Sequence, residues 1–252
     1  MEERVTIRNG NVPVLLVCPH GHDDTNTDII TETCAEYLDC YSLINHGWKR
    51  AKHVDELNGM ANCNSIAHVM DEDNFVINDE YGKEFLRFRK RIKKNCKQFY
   101  IVHVHGVGNH IKKKAKDNIH VIFGHGNSKK NPSLTCDDWV PFNFGRLFAG
   151  ISGNPHGNAQ GQGGWIMYQG KPGGLYTARK NDNMNQYYRK KKVNSTIQSF
   201  QLEFTYDMRH NQAAAEFTGN ALAQCLNQLV AWDFKDPTGN SIGSRAPEMK
   251  EI

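Results

Sequence analysis

The chain has 252 residues, 38% hydrophobic and 23% charged, which is enough for one large α/β domain and too apolar for a disordered chain. Its net charge of +4, from 31 basic and 27 acidic side chains, is too small an excess to make nucleic acid an expected partner. No apolar stretch approaches the ~18 residues needed to cross a bilayer, and the charged opening MEERVTIRNGN lacks the apolar run of a secretory signal.

Seven cysteines, an odd number with no C-x-x-C pair, read as reduced thiols of a cytoplasmic protein rather than as a disulfide framework or structural zinc knot. In chain order, residues 14–18 within VPVLLVCPHGHDD form a short apolar run, expected as a buried strand that opens into the loop PHGHDDTNTD. Thr27 or Asp28 then caps a helix, IITETCAEYLD, with Ile30, Cys34, Tyr37 and Leu38 on one face. CYSLIN is a second strand, and residues 51–75 are irregular and rich in Asn. Phe85, Phe88 and Ile92 recur at helical spacing, predicting a long helix over 79–97. The strands FYIVHVHG and IHVIFGHGN follow, separated by a basic turn. Residues 150–174 read as a glycine-rich functional loop around one short strand, WIMYQ. SFQLEFTYDMR is a late strand, NQAAAEFTGNALAQCLNQLVAW a closing helix, and the tail from about 236 is expected to pack loosely. The alternation of strands and helices predicts a single α/β domain over 1–252, one sheet covered by helices on both faces.

Two apolar runs end in imidazoles. The first ends in His20, His22, Asp23 and Asp24, and the second in His103 and His105. Ligands collect at the carboxyl ends of strands in open α/β sheets, and a His/Asp/His set there suits zinc with a fourth position open. His20 and Asp23 stand in an H-x-x-D arrangement, while His22, Asp24 and Asp28 compete for the second ligand. His105, beside Gly106 at the strand end, is a better ligand than His103, which either orients it or is an ordinary core histidine. Glu203 lies opposite the apolar side of its strand, placed either to exchange a proton with a metal-bound water or as a surface carboxylate. Arg50 is a candidate for oxyanion or substrate binding, with Asn62, Asn64 and Arg179 as further polar contacts. The basic runs KRIKKNCK, HIKKKAKD and YRKKKV suit either a solvated face or an acidic polymer, and GHGN and QGQGG are not phosphate-binding loops because no G-K-[ST] follows.

In order along the chain, Pro19-His20-Gly21, NTDIITETCAEYLDCYSLINHGWKR, MANCN, IVHVHG, GGLYTARK and FQLEF resemble blocks of the N-formylglutamate amidohydrolase family. That family belongs with the zinc carboxypeptidase-like and succinylglutamate desuccinylase-like hydrolases. The resemblance spans about residues 14 to 209. It implies a three-layer α/β domain, with a mixed β-sheet flanked by helices, and one zinc per chain held by His20, Asp23 and His105. It also implies Glu203 as general base and acid, and Arg50 as oxyanion or substrate ligand. Asn64, Arg179 and His103 are the expected substrate contacts. The implied activity is hydrolysis of an N-acyl amino acid or related amide through a metal-activated water. Two other readings are hydrolysis of a poly-acidic or peptide-like polymer, and a non-catalytic nucleic-acid-binding relic of the fold. Two positions depart from the family pattern: His103 stands where D-x-H has its Asp, and Ser65 follows Asn64 where an Arg is expected. Without that Arg, which grips a substrate carboxylate, N-formylglutamate is expected to be a poor substrate.

Overall fold

Val5–Arg8 forms an edge strand, β1, in which Val5 is buried and Ile7 exposed. β2 (Val12–Cys18) is buried from Pro13 onward, as a strand covered on both faces must be. Helix α1 (Thr27–Leu38) follows, then β3 (Cys40–Asn45), all six of whose residues are buried. The expected side-chain cap of α1 by Thr27 or Asp28 is not used. Asn26 occupies the cap position with φ 58°, and Thr27 Oγ1 donates to the Asp24 carbonyl instead. Two short helical turns come next, α2 (Ile66–Val69) and α3 (Phe75–Ile77). A π-helical turn over Asn78–Gly82 then leads into α4 (Lys83–Arg91). The single long helix expected here is therefore split. Asn78 Nδ2 donates to the Val69 carbonyl, against which Gly82 packs with no room for a Cβ, and this widens the first turn.

The remaining elements are β4 (Phe99–Val107), α5 (His110–Ala115), β5 (Val121–Gly124), α6 (Trp139–Ala149), β6 (Met167–Gln169), α7 (Gln186–Lys190), β7 (Ile197–Thr205) and α8 (Gln212–Lys235). The computed structural model describes residues 3–91, 98–115, 118–127, 133–150, 165–170, 176–190 and 197–235. The glycine-rich stretches 151–164 and 171–175, the lysine-bearing stretches 92–97 and 191–196, and the tail from 236 lie outside these.

Seven strands form one mixed sheet in the order β1-β3-β2-β4-β7-β5-β6. β3, β2, β4 and β7 run parallel, β1 is antiparallel to β3, and β5 is antiparallel to β7. Alternation along each central strand splits the core in two. On one face Leu16, Val102 and Phe200 pack with Ile30 and Cys34 of α1, Phe144 of α6 and Leu226 of α8. On the other, Leu15, Val17 and Ile101 pack with Trp48, Tyr81, Phe85 and Phe88. From β2 the chain turns outward through α1 to β3, whereas β4 opens the other half of the sheet. The order therefore switches between β2 and β4, and at such a switch the loops beyond the strand ends part to leave a crevice.

Candidate metal and hydrolytic site

The imidazoles lie at the carboxyl ends of the two strands that flank this switch. His20 follows the end of β2, and His105 is the third residue from the end of β4. The tight turn after His20, in which the amides of Asp23 and Asp24 both donate to its carbonyl (2.9 and 2.7 Å), folds the carboxylates back toward the strand. Asp24 points inward. Its Oδ2 lies 3.6 Å from His20 Nδ1 and 3.8 Å from His105 Nδ1, and the two ring nitrogens are 3.2 Å apart. The Gly106 amide donates to the same Oδ2 at 3.1 Å. Asp23 turns away, accepting from the Arg50 amide at 2.9 Å and lying 3.5 Å from His22 Nδ1. Asp28 sits in the first turn of α1, 3.9 Å from His46 Nδ1. The geometry thus brings together His20, Asp24 and His105 rather than His20, Asp23 and His105.

The partners of His20 fix its tautomer. Asn62 Oδ1 receives the Asn64 amide at 3.0 Å, which identifies it as the oxygen, so His20 Nε2, also 3.0 Å from it, carries the proton. His20 Nδ1 faces Arg50 Nη2, a pure donor, and is therefore the unprotonated ring nitrogen, its lone pair directed to the guanidinium. Charges agree with this arrangement. Burial works to raise the pKa of Asp24, but the facing imidazoles of His105 and His20 outweigh burial and hold it well below the usual carboxylate range. Burial pushes the His105 imidazole down to about 4. At neutral pH Asp24 is therefore a carboxylate and His105 a neutral imidazole, the forms in which such side chains bind metal.

Donor spacing also fits. Bonds of about 2.0–2.2 Å at a tetrahedral angle put neighbouring ligand atoms about 3.4 Å apart, and the three edges here are 3.2, 3.6 and 3.8 Å. Two buried imidazoles and a partly buried carboxylate, joined by no fourth protein ligand among the described residues, have the donor set and spacing of a zinc site of open type.

Glu203 is the direct cross-strand neighbour of His105 in the parallel β4–β7 pair and shares its face. Burial, reinforced by the charge of Asp24, raises its carboxyl to about 8, while Arg50 and Arg209 oppose the rise. Gln201 Nε2 donates to its Oε1 at 3.1 Å. Arg50 is half exposed and spans the mouth of the cluster, with Nη2 3.2 Å from Asp24 Oδ1. Asn64 is half-buried, and its Oδ1 has no partner among the described residues.

The other expected contacts are not among the three groups brought together. His103 is completely buried beneath His105, beside the Phe85 ring at 6.2 Å between centroids. Burial, with the nearby His105 and His20, drives its pKa well down. Arg179 is exposed in segment 176–180, next to Ala178 at φ 55°. In the same segment, burial and then the Glu203 charge raise the Tyr176 phenol. Ser65 is buried, donates to Asp182 Oδ2 at 2.6 Å and caps α2. The roles of Asn62 as the residue that orients His20, and of Gln201 as the donor to Glu203, had no specific sequence signal beyond an Asn-rich loop and the polar side of one strand.

An open, mixed α/β sheet carries the His20, Asp24 and His105 cluster and the half-buried Glu203 at the ends of its central strands. No family model matches the sequence, and no curated protein matches it. Among solved structures, the chain is similar to N-formylglutamate amidohydrolase from Ralstonia eutropha JMP134, with a TM-score of 0.54 at 10% identity over 92% of this chain and 98% of that one. It is also similar to the zinc-free apo form of YNDL, with a TM-score of 0.50 at 12% identity over 89% of each chain. The mixed sheet flanked by helices that the resemblance implied is the fold observed. Among the described residues, no helix is long and apolar enough to cross a membrane.

Proposed function

We propose that the chain is a zinc-dependent hydrolase of amide bonds, acting on an N-acyl amino acid or peptide-like amide. The observation that carries this reading is the triangle of His20 Nδ1, Asp24 Oδ2 and His105 Nδ1, whose edges of 3.2–3.8 Å match a tetrahedral zinc face, with Glu203 beside it. The fold shared with an N-formylglutamate amidohydrolase is consistent with it. His20, Asp24 and His105 would hold the metal, which when bound polarises a carbonyl and lowers the pKa of a water to about 7.

The chain's own groups supply the rest. A glutamate titrating at about 8 exchanges its proton near neutrality, so one carboxyl can accept a proton from the attacking water and deliver it to the departing nitrogen. A cation in the cluster would draw that pKa down and favour the base form at the start of the cycle. Gln201 steadies the Glu203 carboxylate. Arg50, exposed at the mouth and held there through the bond from its amide to Asp23, is placed to meet the developing oxyanion. Asn62 locks the His20 ring so that Nδ1 faces inward.

The test is turnover of a panel of N-acyl amino acids and short peptides by chelator-stripped protein, with and without added zinc, alongside Glu203→Gln. Hydrolysis that requires zinc and falls at least ~10²-fold in the variant is expected. Equal rates with and without zinc would overturn the reading.

A further inference from the structure

Arg209 lies just past the 3-10 turn Tyr206–Met208 that joins β7 to α8, and it is 5% exposed. A buried guanidinium is costly unless its donors are satisfied. Among the described residues this one makes no ion pair, and its donors go to three backbone carbonyls on three separate segments. Nη1 donates to Thr25 at 2.7 Å, Nη2 to Val107 at 3.4 Å and Nε to Phe204 at 3.2 Å. Thr25 follows Asp24, Val107 lies two residues after His105, and Phe204 follows Glu203. The grip is returned from the loop side, where Asn26 Nδ2 donates to the Arg209 carbonyl at 2.7 Å. Gly106 explains itself at the same point. Its amide holds Asp24 Oδ2, and a Cβ there would run into the guanidinium.

We propose that Arg209 is a positioning residue: its planar fork ties the loop that carries His20 and Asp24 to the ends of the strands that carry His105 and Glu203, so that the four groups are assembled before any ligand binds. A lysine, with one flexible point of attachment, cannot span three carbonyls in this way. The inference builds on the hydrolytic reading of the cluster given above, but the clamp itself is a property of the metal-free chain.

Hydrogen exchange on metal-free protein tests it first. In Arg209→Gln the amides of Asp24, bonded to the His20 carbonyl, and of Gly106, bonded to Asp24, should exchange at least ~10-fold faster than in wild type. Leu229→Ala, a truncation in the core of α8 on the opposite face, controls for general loss of stability. Exchange at Asp24 and Gly106 no faster in Arg209→Gln than in Leu229→Ala overturns the proposal. Should Arg209→Gln fail to fold, Asn26→Gly decides in its place. It keeps the φ of 58° that glycine adopts freely, and it removes only the return grip. The same two amides are expected to open in it, and wild-type protection would sink the clamp. Zinc titration adds an independent readout, with Kd expected to weaken about 10–100-fold in Arg209→Gln, as for groups that orient metal ligands, and unchanged in Leu229→Ala. Wild-type protein that binds no zinc counts against the hydrolase reading alone, and the exchange data still decide the clamp.

Discussion

Replacing Glu203 by Gln removes one titration while keeping shape and the acceptor for Gln201 Nε2. Burial raises the carboxyl from 4.5 to about 8 in the folded, metal-free chain. Between those values the unfolded chain has released its proton and the folded chain has not, so stability falls as pH rises. The contribution is fully present below the unfolded pKa and is lost on rising through the folded one. At 1.36 kcal/mol per unit, the wild-type protein should lose about 3 kcal/mol between pH 5 and 7.5 from this group alone. His105, depressed to about 4, works in the opposite sense below its ordinary value, gaining stability as pH rises. It is present in both proteins and cancels in the difference. The assay is urea unfolding in chelator and reductant at half-unit steps from pH 5 to 7.5. The wild-type curve should descend relative to Glu203→Gln by about 3 kcal/mol across that range, and the gap should shrink when zinc is added because a cation favours the carboxylate. Parallel curves, within about 0.5 kcal/mol, would show that Glu203 is ionised in the folded chain and would remove the basis for its double role as base and acid.

The other predictions concern single contacts. Asp24→Asn should abolish stoichiometric zinc while Asp23→Asn retains it, as read by elemental analysis after dialysis; the reverse pattern would move the ligand to Asp23. Arg50→Gln should keep zinc and lower kcat by roughly 10²–10³, the effect of losing one oxyanion donor; unchanged kcat would return Arg50 to the surface. Asn62→Ala frees the His20 ring to adopt the other tautomer and should weaken zinc about 10–100-fold by calorimetry, whereas an unaltered Kd would show that the bond to His20 Nε2 does not matter. N-formylglutamate should rank low by kcat/KM in an amide panel, since Ser65, bonded to Asp182, stands where the family pattern has a carboxylate-gripping Arg; a first-place ranking by a wide margin would refute this.

Much of the architecture was legible because burial writes itself plainly on parallel strands. VPVLLVC, CYSLIN and FYIVHVHG are continuous apolar runs, and the polar residues that close the first and third mark the open end of the sheet. The strand ends singled out His20 and His105, and alternation put Glu203 on the polar side of its strand, while its role as base and acid came from the family resemblance. Which acid joins them did not. Asp23 and Asp24 are adjacent in a turn closed by two bonds to the His20 carbonyl, and only the direction of that turn decides which carboxylate faces inward. β1 is hidden because four residues with one buried valine resemble any charged terminus. α6 is hidden because Pro141 reads as a breaker, although in a helix's first turn it costs no hydrogen bond. Arg209 had no signal at all: its three partners are backbone carbonyls on segments 102 and 184 residues away and one five residues back, which no pattern of side chains reveals.

Anomalous diffraction at the zinc absorption edge, from crystals of the zinc-loaded protein, addresses the metal site without recourse to a substrate. One peak per chain, bonded to His20 Nδ1, Asp24 Oδ2 and His105 Nδ1 at about 2.0–2.2 Å, is the expected result. No peak between these three groups, or one held by other residues, would contradict it.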